Sequence, residues 1–159
     1  MLVTLARAEE RDVPLLWKMQ VRAFEPLLRK YQDDSTNPAC ESLEKVTARF
    51  RHPCTDYYLV YADGDPVGGV RVVRREGGRC RISPLFVVPE YQGRGIAQAV
   101  LRQLEALYPE VQWELNTILQ ETGNCHLYEK MGYRRTGEYE KINERMTLVY
   151  YRKLKSRHP

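Results

Sequence analysis

At 159 residues, 43% of them apolar and 29% charged, the chain can bury one sizeable core and is short for two. Its formal net charge of +4 is spread over interspersed basic and acidic residues, too weak and mixed to argue for nucleic acid but compatible with a polyanionic small ligand. No apolar run approaches the ~20 residues of a membrane span, and residues 1–12 lack the basic start and apolar core of a secretory leader. The four cysteines show no C-x-x-C spacing and do not cluster with histidine, so free thiols, no metal site and a cytosolic location are expected.

Residues 2–6 alternate weakly and are expected to form a first strand. Asp12 is positioned to N-cap a helix with Pro14 in its first turn. Val13, Trp17, Val21, Phe24, Leu28 and Tyr31 then recur at helical spacing, with Trp17 a core anchor on that stripe. The DDSTNP segment breaks the chain. Ser42 opens a short helix that turns Leu43, Val46 and Phe50 inward and ends at His52 and Pro53. Strands are expected over 56–62, 67–74 and 80–88, joined by tight turns at Asp63-Gly64-Asp65 and Gly77-Gly78. Ser83-Pro84 interrupts the last of these. Proline cannot donate to a ladder, so a bulge is expected there rather than an edge strand, leaving backbone groups free to bind an extended ligand.

That strand stops at Pro89. A short turn with Gly93 and Gly95 leads into a helix whose Ile96, Val100, Leu104 and Leu107 share one stripe. Strand, glycine turn and helix start leave several backbone N–H groups converging on one space, with the positive end of the helix dipole behind them. The natural occupant is a phosphate or diphosphate. The turn lacks the Lys-Ser/Thr pair of a Walker A loop, and Gln98 stands where a dinucleotide fingerprint needs a small residue. Taken alone, the turn is equally a tight corner. Residues 111–117 alternate, with Val111, Trp113 and Leu115 on one face and Gln112, Glu114 and Asn116 on the other. A short helix over 122–131 ends at Gly132, strands begin at 133–136 and run over 146–154, and the basic tail is expected to fray.

The Gln-x-x-Gly-x-Ala spacing of Gln92, Gly95 and Ala97 resembles the acetyl-CoA loop of the GNAT superfamily of N-acetyltransferases. The later run Leu127-Tyr128-Glu129-Lys130-x-Gly132-Tyr133 is similar to the signature that closes that family's core, and the order β-α-α-β-β-β-α-β-α-β-β is also the family's. The resemblance implies an α/β (α+β) fold over a single domain, residues 1–159: a mixed, mostly antiparallel twisted sheet of six to seven strands, splayed between the fourth and fifth, with about four helices. It implies transfer of an acetyl group from acetyl-CoA to a primary amine by direct attack in a ternary complex. The pantetheine arm would pair with Leu85, Phe86 and Val87, with a main-chain N–H near Val87 stabilising the oxyanion. The diphosphate would rest on Gln92, Gly93, Gly95, Ile96 and Ala97, with Arg94 a candidate for a charge-assisted contact. Tyr128 would be the general acid.

One position departs from the pattern. Where the family commonly carries an Asn before this Tyr, the chain has Glu121, and Asn124, one turn on, is assigned the cofactor contact. Glu114, on the polar face of the fifth strand, is the candidate general base, with Asn116 to hold a water; His126 reads as a surface residue. The expected partner is a small-molecule or peptide amine, with no nucleic acid and no membrane, and the tyrosine-rich last strand offers a homodimer surface. Two rival readings are a non-catalytic acyl-CoA-binding module on the same scaffold and a nucleotide-phosphate-binding protein.

Overall fold

A computed structural model describes residues 1–154; the basic tail, 155–159, lies outside the described residues. The elements are β1 (Val3–Arg7), α1 (Val13–Tyr31), α2 (Leu43–Arg51), β2 (Thr55–Ala62), β3 (Asp65–Arg75), β4 (Arg79–Val87), α3 (Ile96–Leu107), β5 (Gln112–Ile118), α4 (Thr122–Lys130), β6 (Arg134–Asn143) and β7 (Met146–Lys153). The strands form one seven-stranded sheet in the order β1-β2-β3-β4-β5-β7-β6. Every neighbouring pair is antiparallel except β4 and β5. Their parallel ladder covers only residues 79–81 against 112–114.

Helices flank both faces. Neighbouring residues of β2 show this, because successive side chains point to opposite sides of a sheet. The Tyr57 hydroxyl reaches Gln20 of α1, whereas the Tyr58 hydroxyl pairs with Tyr108 at the end of α3, at 2.7 Å. The core is aliphatic, with Leu16, Val60, Val67, Val70, Val72, Val100 and Leu104 fully buried. On the α1 face, Phe24 packs on Phe86 of β4, with ring centroids 6.3 Å apart.

Local expectations meet mixed outcomes. Ser42 caps α2, its Oγ accepting from the Lys45 N–H at 3.1 Å. Asp12 does not cap α1; its carboxylate accepts from the Glu9 N–H at 2.8 Å, closing a 3₁₀ turn that precedes the helix. Trp17 is half-buried, and its indole N–H donates to the Glu41 carbonyl at 2.9 Å. The pairing of β3 with β4 steps from Val70↔Leu85 to Val72↔Ile82, so Ser83 and Pro84 form the bulge opposite Arg71. Strand β6 runs well past Thr136, to Asn143.

Buried Asp56 ties the far side of the sheet together. Its carboxylate accepts from Arg7 at 2.7 Å, Arg74 at 3.1 Å and the Tyr108 hydroxyl at 2.6 Å. Burial alone would raise its pKa, but the bonds from Tyr108 and Arg74 and the charge of Arg7 outweigh it and hold the carboxyl below its ordinary 3.8. Its contribution is therefore complete above that value and is lost as the pH falls through the depressed one. Asp56→Asn is expected to cost about 2 kcal/mol at neutral pH and to flatten the loss of stability below about pH 4. Urea midpoints measured against pH check both.

Candidate active site

Past Arg81 and Glu114 the ladder between β4 and β5 stops, and the two strands diverge around a gap. The Val88 N–H donates to the Val67 carbonyl at 2.8 Å, toward β3. Backbone direction alternates along a strand, so the N–H and C=O of Val87 and of Leu85 turn the other way, into the gap. The Gln92 side-chain amide reaches back and donates to the Val87 carbonyl at 2.8 Å. The Val87 N–H and both Leu85 groups are left facing the gap.

The chain then turns into α3. Gly95 is the N-cap residue at φ 79°, and Gly93 lies at φ 75°. An L side chain in this region costs roughly 1–2 kcal/mol. A Cβ built on either glycine meets no atom within 4 Å, so the turn itself demands glycine and open space lies over it. Among the described residues, the N–H groups of Gly93, Arg94, Gly95, Ile96 and Ala97 have no hydrogen-bond partner. Gly93, Gly95, Ile96 and Ala97 border a cleft of about 700 Å³, walled by Phe24, Leu27 and Lys30 of α1, by Leu85, Phe86 and Val87, and by Asn124 and Tyr128 of α4. That is an ordinary size for a small-molecule site. Arg94 does not line it, lying instead 5.1 Å over the Tyr91 ring.

A second cleft, of about 250 Å³, opens between residues 82–85 of β4 and 115–118 of β5, with Met146 and Leu148 beyond. Phe24, Leu27, Leu85, Asn124 and Tyr128 line both clefts. Tyr128 is therefore the titratable side chain at their junction. Its phenol has no hydrogen-bond partner among the described residues. Burial, with Cys125 nearby, pushes its pKa up to about 12, so it stays protonated. The signature around it has a mechanical reason. Gly132 takes φ 94° just past the helix, and the Tyr133 N–H bonds back to the Tyr128 carbonyl at 2.9 Å, a Schellman closure. The Tyr133 ring then stands edge-on to Tyr128, with centroids 5.8 Å apart.

Glu121 precedes α4 and faces α1. Its Oε2 accepts from Lys30 Nζ at 2.7 Å and from the Tyr31 hydroxyl, joining the end of α1 to the start of α4 across the larger cleft. Burial would raise its pKa, but these two bonds outweigh it and hold the carboxyl below its ordinary 4.5. Asn124 sits exposed on the wall of both clefts.

Glu114 lines neither cleft. It lies on the expected face of β5, one pleat too early, and its Oε1 accepts from Arg79 Nη1 at 3.2 Å. The geometry therefore separates it from Tyr128, whereas Asn116, next on that face, reaches the smaller cleft. His126 is exposed and outside both. The sequence reading missed Lys30, Gln98 and the buried Asp33 as wall residues. Phe24 was visible only as a member of an apolar helix face; nothing local marked Leu27 or Lys30.

The chain belongs to the GNAT family of acetyltransferases. The model of that family, described as acetyltransferase (GNAT) family, matches residues 16–133. Solved structures with the same fold are N-acetyltransferases. One is the ribosomal-protein-S18-alanine N-acetyltransferase of Escherichia coli, with 15% identity, a TM-score of 0.79, and coverage of 99% of this chain and 97% of that one. Another is the PaiA N-acetyltransferase of Thermoplasma acidophilum in complex with coenzyme A, with 14% identity, TM-score 0.77, and 97% and 99% coverage. A third is the spermidine N-acetyltransferase of Vibrio cholerae in complex with CoA and spermine, with 17% identity, TM-score 0.75, and 96% and 95% coverage. No curated protein matches the sequence. Among the described residues no helix is long and apolar enough to cross a membrane, and no group of three or more His, Cys, Asp or Glu is arranged to hold a metal ion.

The Glu121 bridge depends on pH. A depressed carboxyl pKa means that its contribution is present above 4.5 and is lost as the pH falls through the lowered value. Glu121→Gln is expected to cost about 1–2 kcal/mol at neutral pH and much less at pH 3, read as the difference in denaturant midpoint between variant and parent at the two pH values.

Proposed function

We propose that the protein moves an acetyl group from acetyl-CoA to the primary amine of a small molecule or peptide, by direct attack with both substrates bound, as one catalytic domain working in the cytosol. The observation that carries this is the unpartnered Tyr128 phenol at the junction of two clefts, one of which ends on the free amides of the glycine turn. The spermidine enzyme among the similar structures holds CoA and spermine, which supports a small amine as acceptor.

The residues present fit acetyl-CoA. The free N–H groups over the glycine turn suit a diphosphate, and the backbone groups of Leu85 and the N–H of Val87 suit the amides of an extended arm. Bound acetyl-CoA would supply the reactive thioester. The Val87 N–H is then the donor to the carbonyl oxygen as negative charge builds there. Tyr128 donates to the departing sulfur, in a bond that tightens as the sulfur gains charge. Among the described residues, both carboxylates that line the clefts are engaged. Asp33 accepts from Ser35 and Thr36, and Glu121 from Lys30 and Tyr31. The amine therefore reacts in its neutral form, losing its proton to water held near Asn116, and the rate climbs with pH toward the amine's own pKa.

Release of free thiol from acetyl-CoA across a panel of amines tests the reading. Tyr128→Phe is expected to lower kcat by about 10²-fold or more while CoA affinity by calorimetry stays the same; Glu114→Gln is expected to leave turnover nearly unchanged. Absence of turnover with every amine, alongside intact CoA binding, would favour the non-catalytic module instead.

Gly95→Ala probes the cradle. It forces an L residue to φ 79° and projects a methyl group over the turn. CoA affinity is expected to fall by roughly tenfold, the equivalent of about 1.4 kcal/mol, in titration calorimetry.

A further inference from the structure

The sheet face beneath α1 and α2 carries more positive charge than its acids answer. Arg71 of β3 pairs with Tyr57, whose hydroxyl meets α1, so Arg71 points to that face. Val73 lies one pleat further on the same face and pairs with Arg81, which therefore shares it. Arg81 in turn pairs with Glu114, and Asn116 is the next β5 residue on that side. The row runs from α2 toward the smaller cleft.

The partners in this row are unevenly distributed. Arg71 Nε donates to the Ser83 carbonyl at 2.5 Å, and Ser83 lines the smaller cleft. The two terminal nitrogens of Arg71 have no partner among the described residues. Arg81 makes no hydrogen bond or ion pair there; its guanidinium lies 6.0 Å over the ring of Tyr150, a residue that pairs with Asn116. The nearby acids are committed elsewhere. Glu41 holds Arg49 and Gln20, and Glu114 holds Arg79. Burial lowers the pKa of Arg71, and the like charges of Arg49 and Arg81 add to that against the opposing pull of Tyr57 and Glu41. Guanidinium groups on one sheet face with donors to spare suit a carboxylate or phosphate, whose planar or forked oxygens they grip in pairs.

We propose that Arg71 and Arg81 form an anion subsite beside the smaller cleft, and that the acceptor is an amine carrying a carboxylate or phosphate, its amine aimed toward Tyr128 and its anion held by the two arginines. The amine half of this statement rests on the acyl-transfer reading; the anion subsite does not. An acceptor with a second cation would instead meet repulsion on this face.

Two measurements on the full chain test it. In the first, inorganic phosphate and acetate are titrated separately while the Nε–H signals of the arginines are followed by NMR. Saturable shifts of Arg71 and Arg81, abolished for the remaining signal in Arg81→Gln, are expected; no saturable shift overturns the subsite. Arg71 braces the bulge, so Arg71→Lys, which keeps charge but loses the fork, is its second variant. In the second, thiol release is compared for ω-amino acids, their phosphonate-ended analogues and plain alkylamines of matching length. One anionic series is expected to exceed the plain amines in kcat/KM by roughly tenfold to a hundredfold through KM, and which one it is identifies the anion. Arg81→Gln is expected to erase most of that advantage. Equal use of all three series, or an advantage that survives Arg81→Gln, overturns the acceptor assignment. Anion binding without turnover of any amine would leave the subsite standing and remove the acyl-transfer reading.

Discussion

A sheet that stops hydrogen-bonding to itself partway along two central strands faces a physical debt. Each backbone group left without a partner in a buried place costs about 1–3 kcal/mol, so a gap inside a sheet ordinarily closes. Here β4 and β5 pair only over residues 79–81 and 112–114 and then separate. What keeps them apart is that each is fully held by its other neighbour. Strand β4 is paired with β3 along its length, on both sides of the Ser83-Pro84 bulge, and β5 is paired with β7 from Trp113 to Ile118. The opening is therefore the seam between two separately paired halves, and the backbone groups along it, the Val87 N–H and those of Leu85 among them, border the clefts.

Helix α1 spans that seam. Leu16 lies over Gly69 of β3 and Phe24 packs on Phe86 of β4, fixing the helix to that half. The far end of the same helix is fixed to the other half: Tyr31 is buried against Ile118 and Met146, its carbonyl accepts from Asn143 at 3.0 Å, and its hydroxyl and Lys30 bind Glu121. One helix, with Pro26 in its interior, is thus attached at both banks of the gap. The clefts on the two sides of Tyr128 are thus a consequence of packing far from the phenol, and the ladder along β4 is left open to a ligand with amides along an extended arm, as proposed above.

Much of this could be read from residue order. Hairpins announced themselves through Asp-Gly and Gly-Gly turns, α3 through its apolar stripe, and the bulge through a proline where a donor was needed. Two separated signatures identified the family because each encodes a backbone requirement: the positive φ of Gly95 and the Schellman closure at Gly132. Strand β6 was read short because an edge strand with both faces in water needs no apolar alternation, and Arg134, Arg135, Glu138, Tyr139, Glu140 and Lys141 supply none. The face of Glu114 was readable from period two, but its capture by Arg79 depends on a neighbouring strand. The bridge from Lys30 and Tyr31 to Glu121 joins elements on opposite sides of the seam, which no local pattern predicts.

The two anion-facing features of the molecule are built from different materials, and the difference has consequences. At the glycine turn the donors are main-chain amides, and the nearby cations are engaged elsewhere: Arg94 covers Tyr91, and Lys30 is bound to Glu121. Such a cradle depends on backbone shape, so side-chain substitutions around it leave its donors in place and only a change of φ disturbs them. On the proposed acceptor side the donors would be guanidinium groups: that of Arg71, whose Nε also braces the Ser83 carbonyl at the bulge, and that of Arg81, which makes no hydrogen bond or ion pair among the described residues. There a substitution of Arg81 is expected to alter what is recognised while leaving the sheet paired. A scaffold arranged as proposed would hold one ligand by its main chain and choose the other by its side chains, and the second choice could change while the first stayed fixed.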